Sequence, residues 1–81
     1  MEQRKHWWNS RWGRLARRDL YLREDGGAWH VEDRVGGADG RSRWYEYADE
    51  DAAMEQVRTL LATGDGWLEL EVRRAPGDSG G

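Results

Sequence analysis

The sequence contains no cysteine, no phenylalanine and no isoleucine, and it has one proline among its 81 residues. The lack of cysteine excludes disulfide bonds, thiolate metal sites and cysteine nucleophiles. Two histidines are too few for a histidine-rich zinc site. No apolar run approaches the roughly 18 residues of a membrane span, and the charged N-terminus lacks the apolar centre of a signal peptide. We therefore expect a cytoplasmic chain without a metal or other cofactor.

Aliphatic residues are also scarce, because seven leucines and four valines make up the usual core set. That share lies below the roughly 20% at which disorder becomes an alternative. Six tryptophans and three tyrosines favour a folded core instead, since each Trp can bury on the order of 150 to 250 Å². A chain of this length forms one domain at most. We expect a single folded domain with an aromatic core.

Charge is unevenly distributed along the chain. Residues 1–18 hold six basic residues against Glu2 alone, a net charge of +5, so the remainder must carry -8 for the total of -3. We interpret 1–18 as a basic, Trp-rich N-terminal arm, 19–74 as a single α+β domain and 75–81 as a disordered tail.

The arm also has the spacing of an amphipathic helix. In a helical projection, Trp8, Trp12, Leu15 and Ala16 fall on one side. Gly13 weakens such a helix. An N-terminal amphipathic helix is therefore one expectation for this segment.

Alternation of apolar and polar residues predicts strands near 19–23, 28–35, 41–47 and 67–72, separated by glycine-rich turns. In the last strand, alternation places Leu68, Leu70 and Val72 inward. Between the third and fourth strands the period changes, and the apolar residues Ala53, Val57, Leu60 and Leu61 share one helix face, with Asp49 as the N-cap. The predicted fold class is α+β: a small antiparallel sheet in the order β-β-β-α-β, with one helix packed on one face.

Counting by twos from the inward positions leaves an outer sheet face with three aromatic side chains, Tyr21, His30 and Trp67. Arginines alternate with them, so this face could stack single-stranded bases. Alternatively, the N-terminal arm covers the same face with Trp8, Trp12 and Leu15. In the first alternative the sheet face is exposed to a partner, and in the second the arm covers it.

No pattern in the chain is typical of catalysis. The glycine-rich loop 36–42 leads into a strand and lacks a phosphate-loop ending, which favours a hairpin loop. The run Asp49-Glu50-Asp51 fits helix capping better than cation binding. We predict no catalytic, cofactor-binding or metal-binding residues, and hence no enzyme.

Several short stretches between Trp29 and Leu70 follow one another in the order Arg34-Val35-Gly36, Asp39-Gly40-Arg41, an acidic helix start after Tyr47, and Gly66-Trp67. In this order the chain resembles the WGR domain, a small module associated with nucleic acid. The resemblance implies strands followed by a helix, and a nucleic-acid role. Glu32 and Asp33 stand where that family has its signature Trp and Gly, so no functional residue is carried over. The composition also resembles that of small actinobacterial proteins, which implies no activity.

These patterns together predict a non-enzymatic binding, adaptor or regulatory module that contacts another protein. Trp and Arg are enriched at interface hot spots, so the predicted partner-binding residues are Trp7, Trp8, Arg11, Trp12, Arg14, Tyr21 and Trp67. The alternative function is nucleic-acid binding through the basic arm and the sheet face. We do not expect a membrane partner, and a homodimer through a sheet edge remains open.

Overall fold

The computed structural model of the chain describes residues 1–13 and 16–72. Five strands form one antiparallel sheet in the order β4-β3-β2-β1-β5, and one helix packs on one of its faces. The elements are β1 (Glu2–Trp8), β2 (Arg18–Asp25), β3 (Ala28–Val35), β4 (Arg41–Tyr47), α1 (Glu50–Leu61) and β5 (Leu68–Leu70), with a 3-10 turn at Gly37–Asp39. The predicted α+β class is confirmed.

The N-terminal segment forms a strand and not the expected amphipathic helix. β1 lies between β2 and β5 and pairs with both in antiparallel fashion. A short isolated helix is marginal in water, whereas a strand at this place gains hydrogen bonds on two sides and buries Trp7. The predicted tail 75–81 lies outside the described residues.

A β-bulge near the start of β1 determines which side chains reach the core. The register with β2 shifts between Gln3 and Lys5, so Arg4 is an extra residue on this strand. A bulge of this kind re-aims the side chains that follow it. Beyond it, Trp7 shares a face with Leu20 of β2.

The hairpin between β2 and β3 follows the predicted turn signal. Gly26 and Gly27 both have positive φ, 59° and 94°, as a two-residue type I′ turn requires. At the next turn a Cβ on Gly40 would lie 1.8 Å from the Val35 carbonyl oxygen, so only glycine fits there. These turns set the unbroken register of the β2, β3 and β4 meander.

The helix begins where the sequence predicts it. The Asp49 carboxylate accepts a hydrogen bond from the Ala52 N–H at 2.8 Å, which caps the helix N-terminus. Ala53, Val57 and Leu60 form its buried side. They pack on the sheet against Trp7, Leu20, Leu22 and Val31.

Aromatic rings surround this core more than they fill it. Trp7 is its one buried ring among the described residues, and its other members are aliphatic or Ala. Trp29, Tyr45, Tyr47 and Trp67 pack around the margin. The expected aromatic contribution is therefore present mainly at the rim.

In β5 the inward-facing and outward-facing residues are exchanged relative to the prediction. Leu68 lies opposite Trp8, and Glu69 lies opposite Trp7. Because opposed residues share a face, Leu68 and Leu70 point away from α1, and Leu68 is 54% exposed. The inward assignment of Leu68 and Leu70 was wrong, since a shift of one residue exchanges the two faces of a strand.

Candidate functional site

The face of the sheet opposite α1, here called the open face, holds an ordered set of polar and aromatic side chains. The strand register brings them into rows across the sheet. The first row is Leu68, Trp8, Asp19, Arg34 and Ser42; the second is Leu70, His6, Tyr21, Glu32 and Trp44; the third is Gln3, Arg23, His30 and Glu46. Within the described residues, no helix or further strand lies over this face.

Two carboxylates on this face are nonetheless buried. The side chains of Asp19 and Glu32 are each 1% exposed. Lone buried carboxylates are costly unless cations and hydrogen bonds satisfy them. The open face supplies both from neighbouring strands and from Arg17 in the loop before β2.

Asp19 is the centre of the first group, the Asp19 cluster. Arg17 Nε donates to its Oδ2 at 2.9 Å, and Arg17 Nη2 donates to its Oδ1 at 3.2 Å. His6 Nε2 lies 2.8 Å from the same Oδ1. The guanidinium of Arg17 lies 4.9 Å from the ring of Trp8 and 5.0 Å from that of Trp12. One arginine thus ties a buried carboxylate to two indole rings.

Glu32 is the centre of the second group, the Glu32 cluster. Arg23 Nη1 donates to its Oε1 at 2.6 Å, and Arg34 Nε donates to its Oε2 at 2.8 Å. The Ser42 hydroxyl donates to Oε2 as well. The Arg23 guanidinium also lies 5.3 Å from the Trp44 ring. Glu32 therefore fixes side chains from three adjacent strands.

Tyr21 on the central strand joins the two clusters. Its ring stacks on His6 with centroids 4.2 Å apart and planes 20° from parallel. The guanidinium groups of Arg23 and Arg34 lie 4.5 and 5.1 Å from the same ring. Cation–π contacts of this kind are stronger where water is excluded. The open face is thus one connected layer from Trp8 to Trp44.

The electrostatics of the layer keep both acids ionised. Burial alone would raise the pKa of Asp19, but hydrogen bonds from Arg17 and His6 outweigh it, and the pKa lies below its ordinary value. The pKa of Glu32 is lowered in the same way, because hydrogen bonds from Ser42, Arg23 and Arg34 exceed the effect of burial. Burial, followed by the charge of Asp19, raises the pKa of Tyr21.

The loop after β1 is held against the sheet by Asn9. Its buried side chain donates to the Ala16 carbonyl at 2.7 Å and accepts from the Arg18 N–H at 3.0 Å. Such side-chain bonds to backbone stabilise a loop conformation. They position Arg17 at Asp19 and place Trp12 at the edge of the open face.

Large apolar groups remain accessible around this layer. Trp12 is 74% exposed, Trp44 is 54% exposed, and Leu68 is exposed as well. Trp8 and Trp12 meet edge to face with centroids 4.9 Å apart. Exposed aromatic groups beside polar, ordered side chains are typical of protein interaction surfaces.

The open face has little net charge. Arg17, Arg23 and Arg34 are balanced by Asp19, Glu32 and the exposed Glu46. Each of these guanidinium groups already bonds a carboxylate. The surface is therefore suited to planar and apolar contacts more than to a polyanion.

Three of the residues predicted to bind a partner lie on the open face or at its edge. Tyr21 is central to it, Trp8 lies on β1, and Trp12 follows in the loop. The sequence alternative in which the arm covers this face with a helix is replaced by a strand and a loop that bring the same two tryptophans to it.

Three of the other four predicted partner residues lie away from the open face. Trp7 is a core residue with 7% exposure and is not available to a partner. Trp67 is half-buried, packs against the core on the side of α1, and has an indole N–H without a hydrogen-bond partner among the described residues. Arg11 is exposed and pairs with Asp65 at 2.8 Å. Arg14 lies outside the described residues.

The sequence reasoning missed the two carboxylates at the centre of the face. Alternation from Tyr21 places Asp19 and Arg23 on its side of β2, and alternation from His30 does the same for Glu32 on β3. Acids and arginines at alternate positions of adjacent strands were therefore a usable signal. Whether these side chains come together depends on the strand register, which cannot be deduced from the sequence alone.

Within residues 1–13 and 16–72, no group of three or more acidic or histidine side chains is placed to hold a metal ion. No helix in this same part of the chain is long and apolar enough to cross a membrane. Comparison with protein-family models, curated proteins and solved structures finds no significant match to the chain. The functional argument therefore rests on the geometry of the open face.

Proposed function

We propose that the chain is a non-enzymatic binding module that holds a protein partner on its open face. The observation that supports this proposal is the connected layer of arginines and rings around Asp19 and Glu32, with Trp12 and Trp44 accessible at its two ends. Trp, Tyr and Arg are the residue types that dominate interface hot spots.

The layer is ordered before any partner binds. Each of its three arginines has a carboxylate on one side and an aromatic ring beside it. A side chain that is already held loses little rotational freedom on binding, which otherwise costs about 0.5–1.5 kcal/mol for each immobilised long side chain. This order favours a partner that meets a flat, rigid surface.

The chemistry of the face indicates the kind of partner segment. Trp12, Trp44 and Leu68 offer apolar contact, while the paired guanidinium groups keep N–H donors for a few carbonyl or carboxylate oxygens. A peptide segment with an aromatic or aliphatic anchor and one or two acceptors beside it satisfies both requirements. Its charge need not be high.

Single-stranded nucleic acid is the second candidate. Two exposed rings, Trp12 and Trp44, stand beside arginines, and base stacking on such rings contributes about 1–3 kcal/mol per base. The resemblance to the WGR domain points the same way. The pairing of all three arginines with acids weighs against it, because little uncompensated positive charge is left for phosphates.

Selection of random displayed peptides on the folded chain tests the proposal. We expect enriched sequences with an aromatic or aliphatic anchor, whose binding changes the amide NMR signals of β1, β2 and β3. Trp12→Ala and Trp44→Ala should each weaken binding about tenfold or more, as expected for hot-spot residues. Arg58→Ala is the matched control, since Arg58 is exposed on α1 and bonds only Glu55 among the described residues.

Two results would contradict the proposal. Equal weakening by Arg58→Ala and by the tryptophan variants would show that the open face is not the contact. Labelled single-stranded DNA or RNA that binds tightly at low salt, and weakens steeply as salt is added, would favour the nucleic-acid alternative.

A further inference from the structure

Among the described residues, no strand pairs with the outer side of β4, which is a regular sheet edge. It is one of the two outer strands, runs over seven residues from Arg41 to Tyr47, and keeps an unbroken register with β3. It contains no proline and shows no bulge. Proteins normally protect such an edge by shortening it or by adding charged side chains, bulges, prolines or covering segments. Among the described residues, β4 has only the charged side chains of Arg41, Arg43 and Glu46. The opposite edge, β5, has only three residues.

The sequence of this edge is complementary to itself. If two copies pair antiparallel about Trp44, Arg41 lies opposite Tyr47 and Arg43 lies opposite Tyr45 of the second copy. Both pairs lie on the side of α1, and each places a guanidinium beside a phenol ring. On the open face, Ser42 lies opposite Glu46, and Trp44 meets its own copy.

Registers centred on the residues next to Trp44 give less favourable side-chain pairs. A shift that centres the pair on Arg43 would set two guanidinium groups directly opposite each other, which destabilises a sheet. A shift that centres it on Tyr45 would place Tyr45 opposite its own copy, but it would oppose Trp44 with Glu46 and pair only five of the seven residues of β4. Opposed residues must share a face, so only residue-centred registers are allowed. The Trp44-centred register alone avoids both defects.

We propose that a second copy of this chain pairs with β4 in this register, about a two-fold axis at Trp44, to form a ten-stranded sheet. The two helices lie on the same side. α1 packs on β3 and also contacts β4 and β2, so three strand spacings, about 14 Å, separate the two helices. That distance exceeds a helix diameter of about 10–12 Å. Both open faces become one continuous surface.

Single-cysteine cross-linking tests the register directly, because the chain has no cysteine of its own. In Trp44→Cys the two thiols face each other across the two-fold axis. Directly opposed residues of antiparallel strands have Cα atoms about 4.5–5.5 Å apart, which is within the 4.4–6.8 Å range of disulfides. We expect a disulfide-linked dimer in a glutathione redox buffer.

Glu46→Cys is the matched control, since Glu46 is exposed on the same face of the same strand. In the proposed register its two copies are about 14 Å apart, too far for a bridge. The Trp44→Cys dimer should therefore form at least about tenfold faster than the Glu46→Cys dimer. Equal rates, or a faster Glu46→Cys reaction, would overturn the register.

Sedimentation equilibrium tests the dimer without cysteine. Trp44→Lys sets two ammonium groups opposite each other, whereas Trp44→Thr keeps a neutral residue that favours strands. We expect the dissociation constant of Trp44→Lys to exceed that of Trp44→Thr by at least about tenfold. Matching circular dichroism spectra and thermal midpoints show that both variants fold.

Two outcomes of the sedimentation experiment reject the proposal. A wild-type chain that is monomeric at about 1 mM has no such interface. A dimer that survives Trp44→Lys but dissociates in Trp12→Ala forms through the open face and not through β4. Peptide binding by a strictly monomeric chain would leave the proposed function intact, so the two proposals fail separately.

Discussion

The substitution Glu32→Gln removes one charge from the centre of the open face without changing the shape of the side chain. In the wild-type chain the Glu32 carboxylate accepts from Arg23, Arg34 and Ser42. Gln retains one acceptor oxygen, but its amide nitrogen turns a donor toward one of the guanidinium groups. The variant therefore leaves two neighbouring arginines without their counterion.

The size of the loss follows from the burial of the groups. A hydrogen bond to a charged group contributes about 1.5–3 kcal/mol, and breaking a buried ion pair on one side costs about 3–5 kcal/mol. Arg23 and Arg34 are 16% and 26% exposed, so both can turn partly to water. We expect Glu32→Gln to lower the free energy of unfolding by about 2–4 kcal/mol, from a total of roughly 4–12 kcal/mol for a chain of this length.

Urea denaturation followed by tryptophan fluorescence measures this loss, and a thermal scan should show a midpoint lower by roughly 8–32 °C. Glu55→Gln is the matched control, because Glu55 makes its ion pair with Arg58 on the exposed side of α1. Exposed pairs contribute about 0–1 kcal/mol. A loss below about 1 kcal/mol for Glu32→Gln, or a loss equal to that of the control, would refute the idea that Glu32 holds the open face together.

Four further predictions concern the core, the helix and pH. Leu22→Ala, at a fully buried position, should cost about 2–5 kcal/mol in urea denaturation, and a cost below 1 kcal/mol would contradict the assigned core. Asp49→Ala should cost about 0.5–2 kcal/mol through loss of the helix cap, and Asp49→Asn should restore most of it. Trp67→Phe removes a buried N–H that has no hydrogen-bond partner among the described residues, so its cost should stay below about 1.5 kcal/mol; a larger cost would reveal a missing partner. Since the folded pKa values of Asp19 and Glu32 are lowered, both acids stabilise the fold above their ordinary pKa values of about 4, and this stability should be lost as pH falls below them. An acid titration with no loss below pH 4, or the same loss in the Glu32→Gln variant, would refute that linkage.

The elements that the sequence predicted well are those with local signals. The run Asp25-Gly26-Gly27 predicted the first hairpin, and both glycines have the positive φ that the turn requires. The Asp49 cap and the spacing of Ala53 and Val57 predicted α1. Turn and cap chemistry acts over a few residues. These elements therefore form with the predicted bounds to within a few positions.

The elements that were wrong depend on distant partners. The spacing of Trp8, Trp12 and Ala16 fits a helix, whereas residues 2–8 form a strand that depends on pairing with β2 and β5. The face of β5 depends on the register that places Leu68 opposite Trp8. A local pattern has no information about such non-local choices. The Asp19 and Glu32 clusters were missed for the same reason, because they depend on how distant strands pair.

The two buried carboxylates bear on function because stability alone does not require them. Apolar residues of similar volume at Asp19 and Glu32 would often match or exceed the stability of a buried ion network. What such residues could not do is hold the guanidinium groups of Arg17, Arg23 and Arg34 beside the rings of Trp8 and Tyr21. A partner that covers this layer also removes water from it, and charge-assisted bonds become stronger as the local dielectric constant falls. The network therefore stabilises one arrangement of the open face before binding and gains strength when that face is covered, which is the behaviour expected of a preorganised interface.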